Sequence, residues 1–216
     1  MAEGERPAER QADLGETIAV YDADAASFAD FQWRTADFGA YLDRFLALVP
    51  FGPEPVIDAG CGGGRDAAAM AARGYHVIGV DMSARLLAEA KARCADPKAR
   101  FVLGDIRRLP LPDGCARGVW SNSTLLHLDA EGRGGAVREF RRVLVPGGAL
   151  FITTSHGAGR RLPRPSATPG LSRWYYETGQ AWLEEVVAAA GFRVALSKVE
   201  PGIVSGEWLN LLATAV

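Results

Sequence analysis

Short apolar runs closed by glycine alternate along this chain with stretches whose apolar residues recur every three or four positions, the pattern of strands feeding helices. Residues 56–57, 75–80, 101–103, 149–154 and a stretch from Gly118 read as buried strands. Between them, helical spacing places Leu86, Leu87 and Ala90 on one face of a segment at 84–94. It does the same for Val137, Phe140, Val143 and Leu144 at 135–144, and for Trp182, Leu183, Val186, Val187 and Ala190 at 179–190. Gly74 and Gly191 stand where two of these helices should stop. Residues 192–199 and 207–214 are expected as a closing antiparallel edge pair. Ahead of the first strand, Tyr41, Phe45, Leu48 and Val49 mark the second of two helices expected in 16–50. Residues 1–15, rich in Glu, Arg, Ala and Gly, are expected to be disordered, with a single domain over 16–216. Residues 155–172 show no periodicity and read as a long loop or lid.

The stretch 56–67 carries the chemistry. Gly60, Gly62, Gly63 and Gly64 form a tight turn between the first strand and the Ala-rich helix, and Gly60 and Gly62 would let a ligand lie directly on the backbone amides at the helix N-terminus. The dinucleotide fingerprint is G-x-G-x-x-G, whereas these glycines fall as Gly60-x-Gly62-x-Gly64 and Arg65 replaces the third expected glycine. Asp58, two residues upstream, would repel a diphosphate and attract an ammonium or sulfonium group. At the end of the second strand Asp81 is placed to accept hydrogen bonds from both hydroxyls of a ribose. An N-cap role is the alternative, but Ser83 already supplies that cap. Met82 would lie beside a nucleobase.

With its acidic residue followed by G-x-G-x-G, the chain resembles the class I S-adenosylmethionine-dependent methyltransferases from about Tyr21 to its C-terminus. Pro146-Gly147-Gly148 between a helix and the fifth strand is a second mark of that family. Gly64-Arg65-Asp66, Leu125-Leu126-His127 and the ending at 207–213 are similar to a subgroup of small bacterial methyltransferases. The resemblance implies a doubly wound, Rossmann-like sheet of seven strands, mostly parallel, with an antiparallel C-terminal hairpin and an N-terminal helical cap. S-adenosylmethionine is the cofactor it implies. Tyr21 would then pack against the methionine part of the cofactor. Asp105 would bond the adenine amino group, and Ile106 would offer its backbone amide to the ring.

Other site candidates divide between this reading and plainer ones. Phe28, Phe31, Trp33 and Arg34 join Tyr21 as candidates for a roof; each aromatic could equally be core, and Arg34, a partner for the cofactor carboxylate, could equally be a solvated surface arginine. Ligands of open α/β sheets bind at the carboxyl ends of the strands where the strand order reverses, which brings Ser121, Asn122, Ser123 and His127 to the transferred methyl. His127 is the candidate base, against the alternative of a loop or roof histidine; His76 and His156 are weaker. Arg160, Arg161, Arg164 and Arg173 would meet an anionic substrate or simply solvate a loop, and Trp174, Tyr175 and Tyr176 would line the substrate side. Cys61 reads as a small residue in a crowded turn rather than a nucleophile.

Composition narrows the class. The chain has 216 residues, 48% of them apolar, and a mean hydropathy near zero, as in a globular domain. Its 24 basic and 26 acidic residues give a net charge of −2, without the basic footprint of a nucleic-acid binder. The 3 cysteines show neither zinc-ligand nor disulfide spacing, and no His or Cys cluster suggests a metal. No apolar run is long enough to cross a bilayer and residues 1–16 are charged, so a cytoplasmic protein without membrane attachment is expected, as monomer or homodimer. The reading is methyl transfer from S-adenosylmethionine to a small-molecule acceptor. The alternatives are a methyltransferase acting on RNA or protein, a protein that binds the cofactor without turning it over, and a nicotinamide-dependent oxidoreductase.

Overall fold

The computed structural model describes residues 7–35, 39–158, 161–165, 172–202 and 206–216. Helices α1 (Pro7–Ala23), α2 (Ala25–Arg34) and α3 (Gly39–Leu48) precede the sheet. There follow β1 (Val56–Ala59), α4 (Arg65–Ala72), β2 (Val77–Asp81), α5 (Ala84–Arg93), β3 (Ala99–Leu103) and β4 (Ala116–Asn122). A 3₁₀ turn (Leu125–His127), α6 (Ala130–Val143) and β5 (Leu144–Ser155) come next. The chain closes with β6 (Arg161–Pro165), β7 (Ser172–Tyr176), α7 (Gln180–Ala189), β8 (Phe192–Pro201) and β9 (Glu207–Ala215).

Seven strands form one sheet in the order β3-β2-β1-β4-β5-β9-β8. The first five run parallel, and β9 pairs antiparallel with both β5 and β8, as expected for the edge hairpin. All four residues of β1 are buried, as befits a central parallel strand covered on both faces. One face packs Ile57, Val119, Leu150 and Leu211 against α6 and α7; the other packs Trp120, Phe151 and Leu212 against α3 and α4. Trp120 stacks on Phe151 at 4.0 Å between ring centroids, and Phe45 closes that layer at 5.4 Å from Trp120. After β1 the chain winds to β2 and β3 on one side, then crosses to β4 on the other. The resulting crevice lies beyond the carboxyl ends of β1 and β4.

Four boundaries differ from the sequence expectation. The segment assigned to disorder is helical from Pro7: Asp13 and Leu14 are buried, Asp13 against Tyr176 of β7 and Leu14 in the core. Of residues 1–15, 1–6 lie outside the described residues. Three helices, not two, precede β1, with α1 and α2 separated at Asp24. Helix α6 begins at Ala130, five residues early, because the Asp129 carboxylate caps it by accepting the Gly132 amide at 2.7 Å, a start concealed by the glycines that follow. The aperiodic stretch contains β6, which pairs antiparallel with β7.

Candidate functional site

A cavity of about 660 Å³ opens at the carboxyl ends of β1, β2, β4 and β5, roofed by α1 and α2. Its floor is the glycine turn. Gly60 has φ +85°, and a Cβ there would stand 2.1 Å from the Thr124 hydroxyl, so the turn accepts no side chain at this point. The turn's amides are directed inward. Gly60 N and Cys61 N donate to the Val80 carbonyl at 2.7 and 3.1 Å, and Gly64 N to that of Cys61 at 3.0 Å. Gly62 N donates to Asp81 Oδ2 at 2.9 Å, and Gly63 N to Gln32 Oε1 at 2.8 Å. Five successive N–H groups are therefore committed to protein acceptors, and the turn is not a nest for a diphosphate. The sequence expectation of a ligand resting on these amides is corrected accordingly: the turn shapes the floor, and the adjacent carboxylate offers the polar contact.

That carboxylate is Asp81. Its second oxygen accepts the Ser83 amide at 2.9 Å, which orients the group toward the cavity. Burial raises its pKa, opposed by the amide donors. Ser83 caps α5 through the Leu86 amide, 3.0 Å, as expected, and its hydroxyl donates to Asp22 at 2.6 Å. Met82, Leu86, Asp105 and Ile106 line the cavity beside Asp81. Asp105 does so with its carboxylate gripped by Arg107, whose Nη2 lies 2.6 Å away.

Opposite stands a chain of polar contacts. Tyr21 and His127 both line the cavity, with the Tyr21 hydroxyl 2.9 Å from His127 Nε2 and His127 Nδ1 3.0 Å from the Trp174 carbonyl. A carbonyl only accepts, so Nδ1 carries the proton, Nε2 is the basic nitrogen, and Tyr21 donates to it. Tyr175 packs edge-on against the His127 ring at 5.1 Å. Burial lowers the His127 pKa to about 4 and pushes that of Tyr21 well up. His127 is thus a neutral ring whose lone pair is already engaged. Strand β7 is tied down behind it: Trp174 N donates to Thr17 Oγ1 at 3.0 Å, Trp174 Nε1 to Glu16 at 2.8 Å and the Tyr176 hydroxyl to Asp13 at 2.8 Å.

Three sequence candidates lie elsewhere. Asp58 is 1% exposed beneath the turn, with one carboxylate oxygen lacking a partner among the described residues. Burial, with Asp66 nearby, raises its pKa well above the usual carboxylate range, and the side chain does not line the cavity. Ser121 is fully buried and off the cavity wall; Asn122, Ser123 and Thr124 line it instead. Arg34 points outward, its side chain 82% exposed and 3.8 Å from Asp30. Of the remaining roof candidates, Phe28 and Phe31 line the cavity, whereas Trp33 turns to the glycine turn and donates to the Gly63 carbonyl at 2.9 Å. Tyr175 lines the cavity; Trp174 and Tyr176 face α1. Cys61 is buried with its thiol pKa pushed up by burial, as a packed small residue should be.

Some contributors were not site candidates in the sequence. Gln32 reaches the glycine turn from α2. Tyr41 donates to Glu200 on the far wall. Asp66, from the Gly-Arg-Asp stretch, is buried and accepts Arg65 Nε at 2.6 Å, Trp120 Nε1 at 2.9 Å and Asn122 Nδ2 at 2.8 Å, so it sets the side chain that ends β4. Its spacing after the glycines was the available clue.

Residues 56–148 match the family described as methyltransferase domain. An uncharacterised methyltransferase of Mycobacterium tuberculosis is 36% identical over 117 residues, 54% of this chain and 57% of that protein. The malonyl-[acyl-carrier protein] O-methyltransferase of Pectobacterium atrosepticum is 36% identical over 147 residues, 67% of this chain and 53% of that one. The matched stretch thus spans little more than half the length of these curated relatives. The crystal structure of Burkholderia thailandensis 1,6-didemethyltoxoflavin-N1-methyltransferase superposes with a TM-score of 0.77 at 23% identity, covering 100% of this chain and 93% of that one, which establishes the shared fold. Residues 56–148 thus carry a methyltransferase domain, and the chain around them shares the glycine turn, the strand order and the fold of class I S-adenosylmethionine-dependent methyltransferases.

Proposed function

We propose that the protein transfers the methyl group of S-adenosylmethionine to a small-molecule acceptor. The observation that carries this is the inward commitment of the five turn amides beside a cavity-facing carboxylate at residue 81. That floor suits a phosphate-free nucleoside and disfavours the diphosphate of a nicotinamide cofactor. The cavity volume falls within the range of small-molecule sites, about 300–1,000 Å³. The net charge of −2 speaks against an RNA substrate. The named relatives methylate an acyl-carrier-bound malonyl group and a didemethyltoxoflavin, according to their descriptions.

The residues present fit the cofactor. Asp81 would accept from the ribose hydroxyls, Met82 and Ile106 would flank the adenine, Asp105 would bond its amino group, and Tyr21 would meet the methionine part over Gly60 and Gly62. When bound, the cofactor supplies a methyl group on a sulfonium, which keeps the carbon–sulfur electron pair as the acceptor's lone pair forms the new bond. The chain's own task is to align the partners and exclude water. His127 serves by holding Tyr21, because its basic nitrogen is occupied and its pKa of about 4 makes it a weak proton acceptor.

Calorimetric titration tests the reading. S-adenosylhomocysteine should bind with micromolar affinity and NADH should not bind at millimolar concentration. The reverse preference would overturn it.

A further inference from the structure

The charged groups facing the cavity are unevenly satisfied. Asp81 holds two backbone amides and Asp105 holds Arg107. On the far wall Glu200 is bonded by Lys198 and Tyr41, and Glu207 stands 3.4 Å from His156. Arg65 is committed to Asp66. Arg173 differs. It projects from β7 into the same cavity, half-buried, with its guanidinium carbon 5.5 Å from the centre of the Tyr21 ring and 5.9 Å from that of Tyr175. The groups that attract it are the Tyr21 and Tyr175 side chains and, more weakly, the Asp24 carboxylate.

A guanidinium held over two aromatic faces keeps its charge and loses part of its hydration, which makes its in-plane N–H groups ready donors to a planar anion. The rings that hold it also offer flat apolar surface beside it. Arg173 stands on the 3₁₀-turn side of the cavity, and its neighbour Trp174 is the residue that fixes His127. Resting on the methyltransferase reading above, we propose that Arg173 is the specificity anchor of the acceptor site, and that the acceptor is an aromatic or conjugated small molecule carrying a carboxylate or a comparable planar anion. Tyr21 and Tyr175 flank the ring of that molecule while Arg173 pairs with its acid group. The methionine carboxylate of the cofactor has the same chemistry, so the experiment separates the two.

Protein saturated with S-adenosylhomocysteine is titrated with 4-hydroxybenzoate and with its uncharged isostere 4-hydroxybenzamide, and binding is followed by ligand-observed NMR. The acid should bind about tenfold more tightly than the amide. Arg173→Gln should erase that preference, Arg173→Lys should retain part of it, and S-adenosylhomocysteine should bind all three proteins within about threefold of one another, which also reports that each is folded. Equal binding of acid and amide to the unaltered protein overturns the proposal. A loss of S-adenosylhomocysteine affinity in Arg173→Gln equal to the loss for the acid also overturns it and assigns the arginine to the cofactor. If S-adenosylhomocysteine fails to bind the unaltered protein, it is the methyltransferase reading that falls.

Discussion

At the scale of single residues, what a side chain offers depends on what has already claimed it. Asp81 retains lone pairs toward the cavity after accepting two amides. Asp81→Asn keeps the shape and removes the charge, so S-adenosylhomocysteine affinity should fall by roughly 10- to 100-fold, the worth of charge-assisted bonds at about 1.5–3 kcal/mol; unchanged affinity by calorimetry would remove the ribose assignment. His127 makes a prediction about stability. Its folded pKa of about 4 lies below the ordinary 6.5, so between those values the unfolded chain binds more protons. Stability contributed by the neutral ring is therefore complete above about pH 6.5 and is lost as the pH falls toward 4, by about 3 kcal/mol at most. His127→Gln can still accept from Tyr21 and donate to the Trp174 carbonyl without titrating. Its melting temperature should gain on the parent's as the pH drops from 7 to 4.5; parallel curves would show an unperturbed histidine. Much of the cavity wall was legible residue by residue: Tyr21, Gly60, Gly62, Asp81, Met82, Asp105 and Ile106 all line it. Ser121 was not, because successive residues of a strand face opposite sides and composition does not say which of Ser121 and Asn122 turns to the crevice. Asp58 was misread for a similar reason, since charge in a sequence carries no statement of depth.

At the scale of elements, most strands followed from periodicity, and the failure at α1 occurs where one element is held by contacts with another. In helix α1 the polar residues Asp13, Glu16 and Thr17 bind the backbone and rings of β7. Those are long-range polar contacts across more than 150 positions, invisible to any local pattern. Deleting residues 1–15, which the sequence suggested to be dispensable, should lower the melting temperature by several degrees, through loss of Leu14 from the core and of the Asp13–Tyr176 bond. An unchanged melting temperature would show the helix to be an accessory. The junction of α4 with β4 depends in the same way on Asp66. Asp66→Ala leaves the buried Trp120 donor and the half-buried Asn122 donor without this acceptor and Arg65 without its carboxylate, and should cost about 3 kcal/mol in urea denaturation. Asp66→Asn keeps one oxygen for those donors and should cost less.

At the scale of the whole molecule, the strand order divides the labour. The β1–β2 side carries the glycine turn and Asp81, the β4–β5 side carries Asn122 and the 3₁₀ turn, and the roof of α1, α2 and β7 spans both. The sheet was readable because alternating apolar runs and glycine stops are local signals. The roof was not, because the polar contacts that tie α1 to β7 join residues more than 150 positions apart and form only once the sheet exists. That difference has a dynamic consequence. Central strands with fully buried residues exchange their amides only through global opening, whereas a roof resting on a few hydrogen bonds opens locally. A ligand bridging floor and roof is released by roof opening and retained during fraying of α7, which lies on the α6 side of the sheet away from the cavity. With saturating S-adenosylhomocysteine, hydrogen exchange within an hour should therefore slow in peptides covering 13–35 and 172–178. It should stay unchanged in 180–189, and β1 and β4 should remain unexchanged in both states. Equal slowing of the roof and of α7 would mean that the ligand stabilises the fold as a whole without contacting α1, α2 or β7, and the roof would lose its place in the site.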